Sequence, residues 1–95
     1  MKKQKDFFNK ELAKIIKILV TNYNPEKVVL FGSAGRGDYS VDSDLDILVV
    51  KEGIDNISRQ ERYMKVSALL PHNLPMDILV YTPYEIKKRM YLGDP

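Results

Sequence analysis

The 95-residue sequence contains no cysteine and no tryptophan, and it has a single histidine. Without cysteine the chain can form neither a disulfide bond nor a zinc site with thiolate ligands. It also lacks any run of about 20 apolar residues, the length that a membrane-spanning helix needs. The amino-terminal stretch is basic, but Lys10, Lys14 and Lys17 interrupt its apolar run, so it has no apolar segment typical of a secretory signal peptide. We therefore expect a cytoplasmic protein without membrane contact.

A strong excess of charge of either sign is also missing, since the formal net charge is only +2. This balance does not by itself indicate nucleic-acid binding. The aromatic residues are scattered, without the basic interleaving of a single-strand binding surface, so a nucleic-acid partner is not expected. The hydrophobic content of 44% is ordinary for a globular protein, and the length predicts one domain over residues 1–95.

Apolar spacing and turn residues divide the chain into alternating helices and strands. A first helix is predicted by apolar residues at spacings of four, three and four, namely Phe8, Leu12, Ile15 and Leu19. The pair Asn24-Pro25 predicts its end. Strands are then predicted over residues 27–31, 45–50 and 76–81, because each is a short run rich in aliphatic residues.

Two further helices are predicted from their capping residues. Ser58 and Glu61 have capping-box spacing, which indicates a helix from there to about Leu70. Its inward face is expected to carry Met64, Ser67 and Ala68, with Tyr63 beside them. Thr82 as the N-cap, with Pro83 and Glu85 after it, predicts a last helix over residues 83–91. Helices between strands indicate an α/β or α+β fold with a sheet of three or four strands, in an order that the sequence does not reveal.

Two aspartates lie one residue apart at the start of the second strand. Side chains alternate between the faces of a strand, so Asp44 and Asp46 share one face and Leu45, Ile47 and Val49 the other. Two carboxylates so placed repel each other. Either both lie at a solvated strand end, or a divalent cation such as Mg²⁺ offsets the repulsion and bridges to substrate phosphates.

A glycine-rich turn, Gly32-Ser33-Ala34-Gly35-Arg36-Gly37, follows the first strand directly. Main-chain N–H groups at the start of a short helix, together with a serine hydroxyl, suit phosphate oxygens. The spacing fits neither a P-loop nor a dinucleotide-binding turn. The alternative is a plain turn between a strand and a helix.

A third acid, Asp77, stands at the start of the third strand with Ile78 and Leu79 after it. Taken alone, it would be a solvated aspartate at a strand end. With the other two aspartates and the glycine-serine turn, it predicts a cluster of three carboxylates. Such a cluster can bind metal and orient or deprotonate an attacking hydroxyl.

The spacing of these residues resembles the signature of the polymerase-β-like nucleotidyltransferases. Gly32-Ser33, ten intervening residues, Asp44-Leu45-Asp46 and the later Asp77 are similar to that signature. Within the superfamily the chain most resembles the minimal nucleotidyltransferase (MNT) branch, over about residues 25–90. Gly35 departs from the pattern, because many relatives have alanine there. The resemblance implies a nucleotidyltransferase-like α+β fold with a small mixed sheet flanked by helices.

The resemblance also implies a reaction, the transfer of NMP from a Mg²⁺-bound NTP to a hydroxyl with release of pyrophosphate. Gly32 and Ser33 would hold the phosphates, while Asp44, Asp46 and Asp77 would bind the cofactor, two Mg²⁺ ions. Asp77 would also help to activate the acceptor hydroxyl. Arg36 would contact a phosphate or the acceptor, although an exposed arginine needs no such role.

Minimal members of this family are often antitoxins paired with a HEPN-type RNase toxin. They resemble protein adenylyltransferases that move AMP from ATP to a tyrosine of the toxin, so the resemblance implies a hetero-oligomer with such a partner. Two other hypotheses remain open. One is a non-catalytic antitoxin that neutralises its toxin by binding, and the other is a nucleotidyltransferase acting on RNA or on a small molecule.

Overall fold

The computed structural model describes residues 2–31 and 45–91. Helix α1 (Lys2–Ile18) continues into a π-helical turn (Leu19–Tyr23). Strands β1 (Lys27–Phe31) and β2 (Leu45–Val50), helix α2 (Arg59–Leu69), strand β3 (Met76–Tyr81) and helix α3 (Pro83–Tyr91) follow in that order. The predicted glycine-rich turn and its short helix lie outside the described residues. In the part that is described, no helix is long and apolar enough to cross a membrane.

The three strands form one mixed sheet in the order β1-β2-β3, within the described ranges. Strand β1 runs antiparallel to β2, with Leu30 opposite Ile47. Strand β3 runs parallel to β2, with Ile47 opposite Ile78. The prediction of a small α+β fold with a mixed sheet flanked by helices is therefore confirmed, and the structure supplies the strand order.

One face of the sheet carries the hydrophobic core. Leu45, Ile47 and Val49 of the central strand have no exposed surface at all, as the alternation along the sequence predicts. They belong to one buried cluster with side chains from α1, the π-helical turn, α2 and β3, among them Phe8, Ile15, Leu19, Val66, Ile78 and Val80. Burying each such side chain contributes about 1.5–3 kcal/mol to folding. These residues therefore determine which face of the sheet packs against the helices.

The first helix ends where the sequence predicts, but by a wider turn than an ordinary α-helix makes. The main-chain N–H of Asn24 donates to the carbonyl of Leu19 at 3.0 Å, five residues back. Asn24 itself has a left-handed backbone with φ of 54°, a conformation that asparagine tolerates better than most residues. Pro25 then prevents the helix from continuing. The π-helical turn was not predicted from the sequence.

Helix α2 begins at its predicted cap, since Ser58 Oγ accepts a hydrogen bond from the main-chain N–H of Glu61 at 3.2 Å. The prediction of its inward face was wrong. Met64 is 59% and Tyr63 43% exposed, and Ala68 is exposed too, while Ser67 is only half-buried. The buried residues of this helix are instead Val66 and a charged residue, Arg62. Apolar periodicity does not predict this inward face, because one of its buried positions is occupied by a charged arginine.

Arg62 joins four segments of the chain. Its Nε donates to the carbonyl of Ile57 at 2.8 Å, and its Nη2 to the carbonyl of Ile54 at 2.9 Å. Its Nη1 donates to the carbonyl of Val80 at 3.2 Å and to Glu85 Oε1 at 2.7 Å. The Arg62 side chain is 3% exposed, and each of its three nitrogens donates a hydrogen bond to an oxygen, so this buried charge is well satisfied.

The start of α3 matches its predicted capping signals. The main-chain N–H of Thr82 donates to Glu85 Oε1 at 2.7 Å, and the N–H of Glu85 donates back to Thr82 Oγ1 at 3.1 Å. This is a reciprocal capping box. Because Glu85 also accepts from Arg62, the capping of α3 and the packing of α2 share one carboxylate.

A second buried carboxylate, Glu11 of α1, is 4% exposed. Glu11 accepts hydrogen bonds from Asn73 Nδ2 at 2.7 Å and from Lys14 Nζ at 3.0 Å. These hydrogen bonds lower the pKa of Glu11, with Asn73 contributing most and burial opposing the change. The contact ties the loop before β3 to the first helix.

Replacing Arg62 tests the importance of its contacts. Arg62→Met should lower the free energy of unfolding by about 3 kcal/mol, because three carbonyls and a carboxylate lose their donor while partly or fully buried. Urea denaturation of the variant measures this. Arg59→Met, an exposed arginine one turn earlier on the same helix, is the matched control and should cost less than about 1 kcal/mol. Equal losses in the two variants would contradict the special role of Arg62.

The acid stability of the fold should depend on Glu85. Burial raises the pKa of this carboxyl, but hydrogen bonds from Arg62 and Thr82, and the charge of Arg62, together lower it below the ordinary value of 4.5. A lowered pKa in the folded state contributes stability that is complete above about pH 4.5 and is lost as the pH falls through the lowered value. Thermal unfolding of Glu85→Gln between pH 7 and 3 should therefore show a weaker pH dependence than that of the wild type. An unchanged slope would contradict this.

Candidate active site

Two of the predicted acids lie side by side on the face of the sheet opposite the core. Asp46 of β2 and Asp77 of β3 are register partners in the parallel pair. Neighbouring strands lie about 4.8 Å apart, and partners in register project to the same side. Asp46 is half-buried and Asp77 is exposed. The structure thus brings together two carboxylates that are 31 positions apart in the sequence.

The core determines where this pair projects. In β2 the fully buried Leu45 and Ile47 flank Asp46, so its carboxylate must lie on the other face. In β3 the half-buried Met76 and the buried Ile78 flank Asp77 in the same way. Both acids are second residues of their strands, and they therefore mark one edge of the open face.

Apolar side chains border the acid pair. Phe31, the last residue of β1, is opposite Asp46 in the antiparallel register and is 38% exposed. The next row of the open face includes Leu79, also 38% exposed, beside the half-buried Leu48. Neither Phe31 nor Leu79 was predicted as a site residue from the sequence. Their positions follow from the strand register, which the sequence alone does not supply.

The acid pair has no cationic partner within the described ranges. The ion pairs found there join Lys14 to Glu11 and Arg62 to Glu85, and neither involves Asp46 or Asp77. Carboxylate oxygens projecting together from two rigid strands suit a hard divalent cation such as Mg²⁺. Two protein carboxylates fit the ligand number typical of Mg²⁺ sites shared with phosphate groups. No group of three or more ligating side chains occurs in the described residues.

The other predicted site residues lie outside the described part of the chain. These are Gly32, Ser33, Arg36 and Asp44. The described strands nevertheless bracket them. Phe31 immediately precedes Gly32, and Leu45 immediately follows Asp44. Since Phe31 and Asp46 are register partners, the chain leaves and re-enters the described sheet beside the acid pair.

The family comparison now gives the class of protein. The family model described as "Nucleotidyltransferase domain" matches residues 12–93, and the chain belongs to that family. The fold supports this, because a crystal structure described as "a putative nucleotidyltransferase from Sulfolobus solfataricus" is similar with a TM-score of 0.68. That similarity has 31% sequence identity and covers 90% of this chain and 77% of the other.

Two curated proteins of Methanocaldococcus jannaschii are also similar. One, named "Putative protein adenylyltransferase MJ0141", is 31% identical over 81 residues, which are 85% of this chain and 74% of the relative. The other, named "Putative protein adenylyltransferase MJ0604", is 42% identical over 43 residues, or 43% of each chain. The chain is thus a nucleotidyltransferase-family enzyme that acts on a nucleotide triphosphate, as the spaced motif predicted.

Removing one charge of the acid pair should stabilise the protein when divalent cations are chelated. Like charges directly opposite on neighbouring strands cost roughly 0.2–1 kcal/mol, so Asp77→Asn should raise the thermal midpoint by a few degrees in EDTA. Asp55→Asn, an exposed aspartate in the loop after β2, is the control and should leave the midpoint unchanged. A lower midpoint for Asp77→Asn would show that the two charges do not repel each other appreciably.

Proposed function

We propose that this protein is a Mg²⁺-dependent adenylyltransferase that moves AMP from ATP to a hydroxyl of a partner protein. The observation that carries the proposal is the register of Asp46 and Asp77, which sets two carboxylates side by side on an open sheet face. The family supports nucleotidyl transfer. The names of the two curated relatives support a protein as the acceptor.

The proposed reaction is an in-line displacement at the α-phosphorus of ATP. The acceptor hydroxyl oxygen forms a bond to this phosphorus. The bond from the α-phosphorus to the oxygen that it shares with the β-phosphorus breaks, and pyrophosphate leaves with that oxygen. Asp77, the more exposed acid, accepts the hydroxyl proton, while Asp46 and Asp44 hold the nucleotide end of the site. Asp44, Asp46 and Asp77 would hold Mg²⁺, which would neutralise phosphate charge and align the reacting groups. In this proposal Gly32 and Ser33 bind the β- and γ-phosphates, and Arg36 contacts a phosphate or the acceptor.

We further propose that the partner is a HEPN-type toxin and that the protein is the antitoxin of the pair. The MNT resemblance motivates this partner. A protein acceptor also suits the described site, because the acid pair lies on an open face beside exposed Phe31 and Leu79. These apolar side chains offer a surface for an incoming protein segment to cover.

Transfer of label from α-labelled ATP to the purified toxin tests the reaction. Wild-type protein with Mg²⁺ should label the toxin, whereas Asp46→Asn and Asp77→Asn should lower the rate by at least about 100-fold, because each removes a charge that positions or activates a reactant. Asp44→Asn tests the acid outside the described residues in the same way. Asp55→Asn, away from the acid pair, should retain the full rate.

Three results would overturn parts of this proposal. Undiminished labelling by Asp46→Asn and Asp77→Asn would remove these acids from the site. Full neutralisation of the toxin by the folded double variant, without any label transfer, would favour the non-catalytic antitoxin. Labelling of RNA in place of the toxin would show that the acceptor is RNA and not a protein.

A further inference from the structure

A cavity of about 250 Å³ lies between the π-helical turn, the loop after β2 and helix α2. Its described lining contains three cationic side chains, Lys51, Arg62 and Lys65, and no carboxylate. Ile54 and Ile57 supply apolar walls. The lining thus combines a positively charged part, formed by the lysines and the arginine, with an apolar part formed by the two isoleucines.

The cavity also contains a tyrosine hydroxyl. Tyr23, the last residue of the π-helical turn, is only 9% exposed and lines the cavity. No described residue forms a hydrogen bond with its hydroxyl, and no buried side-chain oxygen or nitrogen of the described residues lacks a partner. The hydroxyl is therefore accessible from the cavity. Burial raises the pKa of Tyr23, opposed by the charge of Arg62, so the hydroxyl keeps its proton and can act as a donor.

The cationic side chains around Tyr23 differ in how many of their N–H donors already form hydrogen bonds to protein oxygens. Arg62 gives its hydrogen bonds mainly to main-chain carbonyls and Glu85. Lys51 Nζ donates to the carbonyl of Asn24 at 2.9 Å and lies 5.4 Å from the centre of the Tyr23 ring. An ammonium group has three N–H donors, so two of those on Lys51 remain for a ligand. Lys65 is exposed at the rim.

The cavity is separate from the acid pair. Lys51 follows the last residue of β2, whereas Asp46 is near its start, which separates them by about 16 Å along an extended chain. By the alternation of β2, Lys51 also continues the row of Leu45, Ile47 and Val49 on the covered face, opposite the face of Asp46. Nothing in the nucleotidyl transfer proposed above uses this end of the sheet.

We propose that this cavity binds a small organic anion, with its phosphate or carboxylate group at Lys51, Lys65 and the Tyr23 hydroxyl, and its apolar body against Ile54 and Ile57. An anionic group would accept hydrogen bonds from the free donors of Lys51 and Lys65 and from the Tyr23 hydroxyl, and charge-assisted hydrogen bonds are the strong ones. The apolar walls account for an organic body rather than a bare ion. The inference does not depend on the proposed function.

The test is an NMR chemical-shift titration of the ¹⁵N-labelled protein in EDTA at constant ionic strength. The probes are phenyl phosphate, benzoate, inorganic phosphate and uncharged benzyl alcohol. We expect phenyl phosphate or benzoate to shift the amide signals around Tyr23, Lys51 and Ile54, and the tighter of the two identifies the anionic group. Inorganic phosphate and benzyl alcohol should each bind at least tenfold more weakly, because one lacks the body and the other the charge.

Variants separate a binding site from a merely structural cluster. Tyr23→Phe should keep the stability of the wild type, because no described residue forms a hydrogen bond with the hydroxyl that it removes, yet it should weaken binding several-fold. The double variant Lys51→Met/Lys65→Gln should weaken it at least tenfold. Lys10→Gln, an exposed lysine of α1, and Asp46→Asn should both bind like the wild type.

Three outcomes would overturn the inference. The first is no saturable shift with either organic anion. The second is equal affinity in the wild type and the double lysine variant. The third is loss of binding in Asp46→Asn, which would assign the ligand to the acid pair instead.

Discussion

The alternation of side chains along β2 is the constraint on which the rest of this structure depends. Its three core-facing residues are completely buried, so a register slip of one residue would bury Asp46 and expose Leu45 and Ile47. The core therefore holds the acid on the open face. Strand β3 has the same alternation and pairs in parallel with β2, and this register places Asp77 beside Asp46. The two acids do not attract each other, so their proximity results from the pairing of the strands. The hydrophobic core thus offsets the repulsion within the pair.

Arg62 provides the second fixed point, at the other end of the strands. A buried ion pair is weak evidence for stability, because the cost of removing charges from water can exceed their attraction. The contacts of Arg62 are directional, however, and three of its oxygen partners are main-chain carbonyls of Ile54, Ile57 and Val80. It therefore sets the path of the loop after β2 and the end of β3 relative to α2. The same guanidinium forms part of the cationic cavity.

The sequence predicted the elements well because their signals are local. Strand alternation, the caps at Ser58 and Thr82, and the Asn24-Pro25 break each act within a few residues, and the structure confirms them. The burial of Arg62 was not predictable, because its partners lie 5 to 23 positions away and appear only when the fold forms. The neighbourhood of Asp46, with Phe31 on one side and Asp77 on the other, needed the strand order. The structure places Asp46 and Asp77 side by side, while the roles of all the predicted site residues remain predictions from the motif, namely Gly32, Ser33, Arg36, Asp44, Asp46 and Asp77.

The near-neutral net charge conceals a separation of charge within the fold. The acids Asp46 and Asp77 share one edge of the open face without a described cationic partner. On the covered side, Lys51 and Lys65 line a cavity that no described carboxylate lines, beside Arg62, which is paired with Glu85. The strand register holds the acid pair at one end of the sheet, and the hydrogen bonds of Arg62 fix the cavity at the other end. The acids and the lysines are therefore kept apart by the fold. Uncompensated charge kept in place by packing is costly to stability, and such cost is common where a protein binds ligands. An overall charge of +2 therefore says little about partners, because opposite local charges that suit a cation and an anion cancel in the sum.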